Sequence, residues 1–588
     1  MATQAILAAD VPLPTFLTLP LGLAVVAFWC WAPGRALLGA TRWPGREMAA
    51  IGVSLAILAL GSGLAVLSGV WHPRAGTALV AVVTGCAAWL FRPFHGRHDR
   101  QRAGTKEWIA QSRTALGTAR MPAVLLAAAM VLWLVSLPLI DVPRLGRWGL
   151  LISGPPTFGI SLALVVAAFL AALRLRRIGW MWAALLGAVL VERGTGALVL
   201  DAPSVDWAYK HLGVVDLFVT HGKVDWGLDI YQGWPSFFSA VGTLQEASGI
   251  SAFELAKWFT LAVTVATVLA VRALARSLGA DESTALTAAG LALVVNWVYQ
   301  DYFSPQALAL VLSLVVLTLV FRRGSARRVP VLALLVFAAV VTTHQLTPVW
   351  LLGAVIALTV LRRVPWWLTA AMIVLLAGQV ALNIDVIRGY GLFSQFDVVS
   401  NARTTAAFDL GSEQLDWHSR ANHVATFALW GASALVAAVG LWRRRWCAWF
   451  RSPRAVAAVL AFSPFAILLA QSYGGEAVLR VMLFSIPGCA LLLAPPVVRW
   501  ITGSRLTALA ASVFVFLLTA SAGHAYFSTF GHYAVTRTEY RVASMLEREV
   551  PGKAYLAPMS SYWPVRPTAA YAWRLRDDPE FDTSVQNK

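Results

Sequence analysis

The chain has 588 residues, 58% of them hydrophobic and only 13% charged, with a mean hydropathy of +0.67, whereas soluble domains carry roughly 25% charged residues. So apolar a composition excludes a secreted enzyme, a disulfide scaffold and a disordered tail protein, and reads as a membrane protein. The formal charge of +18 does not point to nucleic acid, because the basic residues sit in short clusters between apolar runs, where they act as topology signals.

A membrane crossing takes about 20 mostly apolar residues. Runs that meet this need lie near 16–38, 48–70, 75–91, 121–140, 149–173, 178–200, 253–275, 284–299, 306–321, 329–343, 348–361, 365–384, 424–442, 455–472, 480–498 and 505–523. The expected fold is all-α, a polytopic transmembrane helical bundle of about 16 spans. No basic segment precedes the first run, and Trp29, Trp31 and Pro33 stand where a cleavage site needs small residues, so it is expected to remain as a span. Tryptophans gather at run ends, as in Trp180 and Trp182 or Trp366 and Trp367, where the ring suits the membrane interface. Cys30, Cys86, Cys447 and Cys489 show no metal-binding spacing, and neither a disulfide nor a thiol metal site is expected.

The basic clusters fall on one side of this count: Arg92 to Arg120, Arg174 to Arg177, Arg322 to Arg328, Arg362 with Arg363, and Arg443 to Arg445. By the positive-inside rule that side is cytoplasmic, and both termini lie outside. Only Glu47, Asp99, Glu107, Asp281 and Glu282 among the acids share the cytoplasmic side. Acids do not set topology, so their gathering on the outer face needs another cause, either a carboxylate-using site or avoidance of lipid.

Two exterior connections are long, 201–252 and 385–423, and their apolar and aromatic content predicts order. The first holds Asp201, Asp206, Asp216, Asp225 and Asp229 with His211 and His221, and ends in Tyr231-Gln-Gly-Trp234-Pro-Ser-Phe-Phe, read as a helix lying in the outer interface. Carboxylates there serve either as a general base for an attacking hydroxyl or as ligands of a hard cation; the plainer reading is capping aspartates in a solvated loop. Asp206 stands out, being a few residues past a span, between Val205 and Trp207, with His211 five positions on.

Three further outer turns are polar. Asn296-Trp-Val-Tyr-Gln-Asp301-Tyr302-Phe-Ser-Pro-Gln306 offers hydrogen bonds to a sugar or headgroup, or is a rigid turn with Pro305 opening the next helix. His344 in Thr342-Thr-His-Gln345-Leu-Thr-Pro348 pairs with a phosphate or is a structural hydrogen-bonder. Glu476 and Arg480 stand four apart, as an ion pair on one helix face or with Arg480 presented to a phosphate. Lys257 adds a cation at the same face, or snorkels. Neither GxxxxGK[ST] nor HExxH occurs, which counts against an ATP-driven pump and a metalloprotease.

From about residue 178 to 523, the combination of VDW, HLGVVDLFVTHGKVD, IYQGWPSFF, NWVYQDYFSPQ, HQLTP and SYGGEAVLR resembles the GT-C superfamily of polytopic membrane glycosyltransferases, in particular actinobacterial members with a DYFSPQ turn. The resemblance implies extra transmembrane helices over 1–177, a GT-C-like catalytic core over 178–523 and a short exterior tail over 524–588. It implies transfer of a sugar from a polyprenyl-phosphate donor to a glycan, lipid or protein acceptor of the cell envelope, at the outer face of the cell membrane. The catalytic acid would be Asp206, with Asp201 next; Arg480, His344 and Lys257 would hold the lipid phosphate. Substrate contacts would come from His211, Asp216, Trp234, Asp301, Tyr302, Gln306, Gln345 and Glu476. No cofactor is required, although the acids permit a divalent cation. The chain departs from the family in its extra spans and in lacking the paired Asp-Glu of the commonest members. A transporter or flippase of lipid-linked glycans, an outer-face polymerase or ligase, and a non-catalytic assembly protein are the competing readings.

Overall fold

A computed structural model describes residues 15–39, 43–90, 120–322, 328–389, 412–443, 446–469, 477–550 and 563–577. The described chain is a helical bundle: α1 (Thr15–Leu38), α2 (Arg46–Leu67), α3 (Pro73–Leu90), α4 (Arg120–Ser136), α5 (Pro156–Arg174), α6 (Ile178–Val199), α7 (Trp207–His221), α8 (Ser236–Ser248), α9 (Ala252–Ser277) and α10 (Glu282–Val294). There follow α11 (Pro305–Val320), α12 (Arg328–Thr343), α13 (Thr347–Val360), α14 (Trp366–Leu382), α15 (Ser412–Trp442), α16 (Pro453–Phe462, prolonged by a tighter turn to Leu469), α17 (Ala477–Ile501), α18 (Arg505–Phe527), α19 (Arg537–Glu549) and α20 (Tyr571–Asp577). Each expected apolar run falls on one of these helices. Nine helices among the described residues are long and apolar enough to cross a membrane, and six more are apolar but shorter.

Local chemistry sets the ends. Ser304 caps α11 through the Ala307 N–H with Pro305 in its first turn, and Asp281 caps α10 by accepting from Thr284 N at 2.7 Å. The run expected to reach 299 stops at Val294, and the polar turn begins there. The run expected from 424 is the second half of a 31-residue helix that begins in the polar stretch ahead of it.

Burial sorts the helices. In α17, 89% of the apolar window is buried, against 22% in α4 and 33% in α18, so α17 is the axis on which α10, α15, α16 and α18 pack. Close approach there depends on Gly488, where a Cβ would lie 2.1 Å from the Ala461 nitrogen of α16. Exposed Leu and Val side chains on α3, α4, α14 and α18 suit contact with lipid.

The segment before residue 178 is not appended at the edge, since α2 packs on α8, α9, α11 and α12. Contrary to the expectation of a helix on the outer interface, α8 is enclosed, with Ser236 to Thr243 all buried. It fits because Gly63 of α2 leaves room for Ser236, and Ser62 and Trp71 both hydrogen-bond Thr243.

The two ends of the bundle differ. At one, basic side chains tie loops together: Arg174 donates to the Ile501 carbonyl at 2.6 Å, Arg363 to the Arg451 carbonyl, and Arg322 lies over Trp43. At the other, residues 200–251 meet the turns at 295–304 and 344–346 and the segment after α18.

Candidate functional site

At this second end the loop acids are largely spoken for. Asp229 binds Arg566 and accepts from Tyr231 N; Asp225 binds Arg576; Asp216 accepts from Ala569 N at 2.8 Å and lies 3.5 Å from Arg548; Asp201 accepts from Arg537 N at 3.1 Å. Apart from Tyr231, these partners come from the C-terminal segment, which folds back over α7. Gly213 is where it seats, since a Cβ there would stand 2.0 Å from the Arg566 carbonyl oxygen. The Asp216 carboxylate, expected to contact substrate, fastens the tail. Nothing local in the sequence paired these arginines with these acids, which lie more than 300 positions apart.

Asp206 has a different place. It is the N-cap of α7, accepting from Trp207 N at 2.9 Å, and the residue before it, Val205, has φ 75°. A β-branched residue in the left-handed region is strained, and such strain is held in place only by its surroundings; here Val205 N donates to the Tyr533 carbonyl at 3.1 Å. Asp206 faces the side of Tyr209, whose hydroxyl is pushed well above its ordinary range first by burial and then by Tyr540, Asp201, Glu539 and Asp206.

One turn further along α7, His211 is buried and stacked on Tyr302, rings 5.9 Å apart and nearly parallel. Its Nδ1 lies 2.7 Å from the Phe303 carbonyl, so Nδ1 donates and Nε2 is an acceptor. Burial lowers its pKa to about 4, with Lys210 and Arg566 pushing the same way against the Phe303 carbonyl. His344 is also buried; Thr347 N donates to its Nδ1 at 3.2 Å, so Nε2 carries the proton. Burial, then Arg480 and then His211, hold His344 well below the ordinary histidine range. Arg480, 7% exposed at the start of α17, is therefore the cation of a group that also holds two neutral imidazoles. Gln306 is buried beside the same turn with its Nε2 donating to no described residue. Gln345 is half-buried, Trp234 is buried, and Glu476 lies outside the described residues.

Two expected members are not in this group. Asp301 accepts from Arg193 Nε at 2.7 Å, and Lys257 lines a separate cavity with Glu192, Arg193 and Phe303. The Phe303 backbone divides the two, its carbonyl on His211 and its residue in the wall of the cavity. Lys257, expected with Arg480 and His344 at the lipid phosphate, thus stands in the wall of this cavity. Glu192 and Arg193 were passed over in the sequence, although an ionisable pair inside an apolar run is a signal in its own right.

The tail also holds a buried carboxyl, Glu547. Glu547 of α19 accepts from Thr568 N at 2.8 Å and from its hydroxyl, yet burial raises its pKa to about 7, the Thr568 bonds, Arg574 and Arg566 offsetting only part. A pKa raised on folding means the contribution is complete below the unfolded value of 4.5 and is lost as pH rises through about 7. Amide exchange at Thr568 to Ala570, corrected for intrinsic rate, should be slower at pH 6 than at pH 8. Glu547→Gln should remove that difference.

No protein-family model matches the chain, and no curated protein matches it. Among solved structures, the chain is similar to an oligosaccharyltransferase of Archaeoglobus fulgidus, determined with a tethered acceptor peptide containing the NVT sequon. The identity is 14% and the TM-score 0.40, and the match covers 69% of this chain and 60% of that one.

Proposed function

We propose that the chain is a membrane glycosyltransferase of the GT-C kind, which moves a sugar from a polyprenyl-phosphate donor to a glycan, lipid or protein acceptor on the outer face of the cell membrane. The observation that carries this reading is the meeting of Arg480, His344 and His211, from three segments far apart in sequence, at the end of the bundle where the acid-rich loop lies. A guanidinium fork matches phosphate oxygens, and the neighbouring His344 imidazole adds a neutral donor for the same anion. The positive-inside rule, applied to the opposite, arginine-rich end, supports placing this end outside.

In this reaction the acceptor oxygen forms a bond to the anomeric carbon as the bond from that carbon to the phosphate oxygen breaks. The electron pair leaves on the phosphate, where Arg480 and the His344 Nε2–H stabilise it. The acceptor proton passes to Asp206 as general base. Asp201 is the second choice for that role, its carboxylate being engaged by Arg537 N. Residues 178–523 supply this core, and 1–177 buttress it through α2.

The test is turnover by purified protein in lipid nanodiscs, supplied with radiolabelled polyprenyl-phosphate sugars and envelope glycans. Release of polyprenyl phosphate with a labelled product is expected; donor translocation without product would establish a flippase instead. Arg480→Lys keeps the charge but loses the two-pronged contact, and should weaken donor binding by about tenfold, a loss of about 1.4 kcal/mol.

A further inference from the structure

A break in helical regularity leads to a second polar site. Within α6 the backbone widens into a π turn over Leu190–Gly194, a feature that recurs at functional positions. It turns Glu192 and Arg193 inward, 6% and 3% exposed. Each Arg193 nitrogen has a partner: Nε on Asp301, Nη1 on Glu192 Oε2 at 3.4 Å, Nη2 on the Asn296 carbonyl at 2.6 Å, with its face 3.7 Å from the Tyr526 ring. Its two carboxylate partners are not saturated. Glu192 Oε1 and Asp301 Oδ1 are buried without a hydrogen-bond partner, as is Asn296 Oδ1.

A buried acceptor left unmade costs free energy. Of the three, Glu192 lines a cavity of about 20 Å³, room for one or two water-sized groups. Lys257 lines the opposite wall and makes no ion pair or hydrogen bond with the described residues. The charges already balance, Glu192 and Asp301 against Arg193 and Lys257, so an added ion would be unfavourable. A neutral group with a proton to donate satisfies the orphaned Glu192 oxygen without adding a charge. Tyr299 and Phe303 supply aromatic wall, and Ser204 lies two residues before Asp206.

We propose that this cavity takes a hydroxyl group of a sugar or polyol, with Glu192 as acceptor and Lys257 as donor. The site rests on the proposed function in one respect: Ser204 in its wall stands two positions before the proposed base Asp206, so the bound hydroxyl is assigned to the acceptor.

Gly196 provides the test. A Cβ there would enter this cavity and meet only Phe530 Cε2 at 3.7 Å, an ordinary contact, and alanine favours the helix, so Gly196→Ala plugs the site without disturbing the ion network. Octyl β-glucoside and octyl α-mannoside, below their micelle concentrations, are added to the protein in nanodiscs and the shift in thermal unfolding is measured. Octyl phosphocholine, with the same tail and no sugar hydroxyls, is the reference. A glycoside-specific stabilisation is expected in the wild type, with apparent affinity weakened about tenfold or more in Gly196→Ala and in Glu192→Gln. No glycoside-specific shift, or one equal in the wild type and Gly196→Ala, overturns the site. Neither outcome depends on turnover: cavity binding without sugar transfer keeps this site and defeats the proposed function, and transfer without cavity binding does the reverse.

Discussion

Asp206→Asn is expected to lower sugar transfer by roughly 10²-fold or more while leaving the bundle folded. The separation of the two effects follows from what the side chain does. As N-cap of α7 it accepts from Trp207 N, and asparagine caps a helix about as well as aspartate, so α7 and the strained Val205 before it stay in place. What asparagine cannot do is accept a proton. Turnover at saturating donor, measured beside a thermal melt, distinguishes the two roles: a fall in turnover with an unchanged melt assigns Asp206 as the base, whereas full activity passes the role to Asp201.

Arg193→Met should destabilise the protein by about 3–5 kcal/mol, the usual cost of leaving a buried charge without its partner. Methionine fills much of the same space, but Glu192 and Asp301 lose the guanidinium between them, and the Asn296 carbonyl loses its donor at 2.6 Å. The ring of Tyr526 loses its cation as well. Pairing the change with Glu192→Gln and Asp301→Asn should recover much of the loss, because the uncompensated charges then vanish too. Thermal unfolding in nanodiscs reads both, and a single variant as stable as the wild type would show that the network contributes nothing.

Hydrophobic run length carried nearly all the helices, because a chain in lipid must satisfy its backbone within each segment. The helix start at Pro305 was also local enough to read. Tertiary pairing was not. The tail arginines Arg548, Arg566 and Arg576 look like any solvated charges until α19 and α20 fold back on Asp216, Asp229 and Asp225. Lys257 and Arg480 share an end of the bundle, which the spacing of the runs implied, but the Phe303 turn that parts them comes from packing of α7 against the start of α11. The meeting of His211 with His344 likewise depends on which helices are neighbours, and no periodicity encodes that.

The most direct measurement is a density map of the protein in nanodiscs with polyprenyl phosphate bound. The phosphate is expected within hydrogen-bond reach of Arg480 and His344, at the end of the bundle that carries Asp206. A phosphate bound at the arginine-rich opposite end, or none at Arg480 under saturating lipid, would contradict the account.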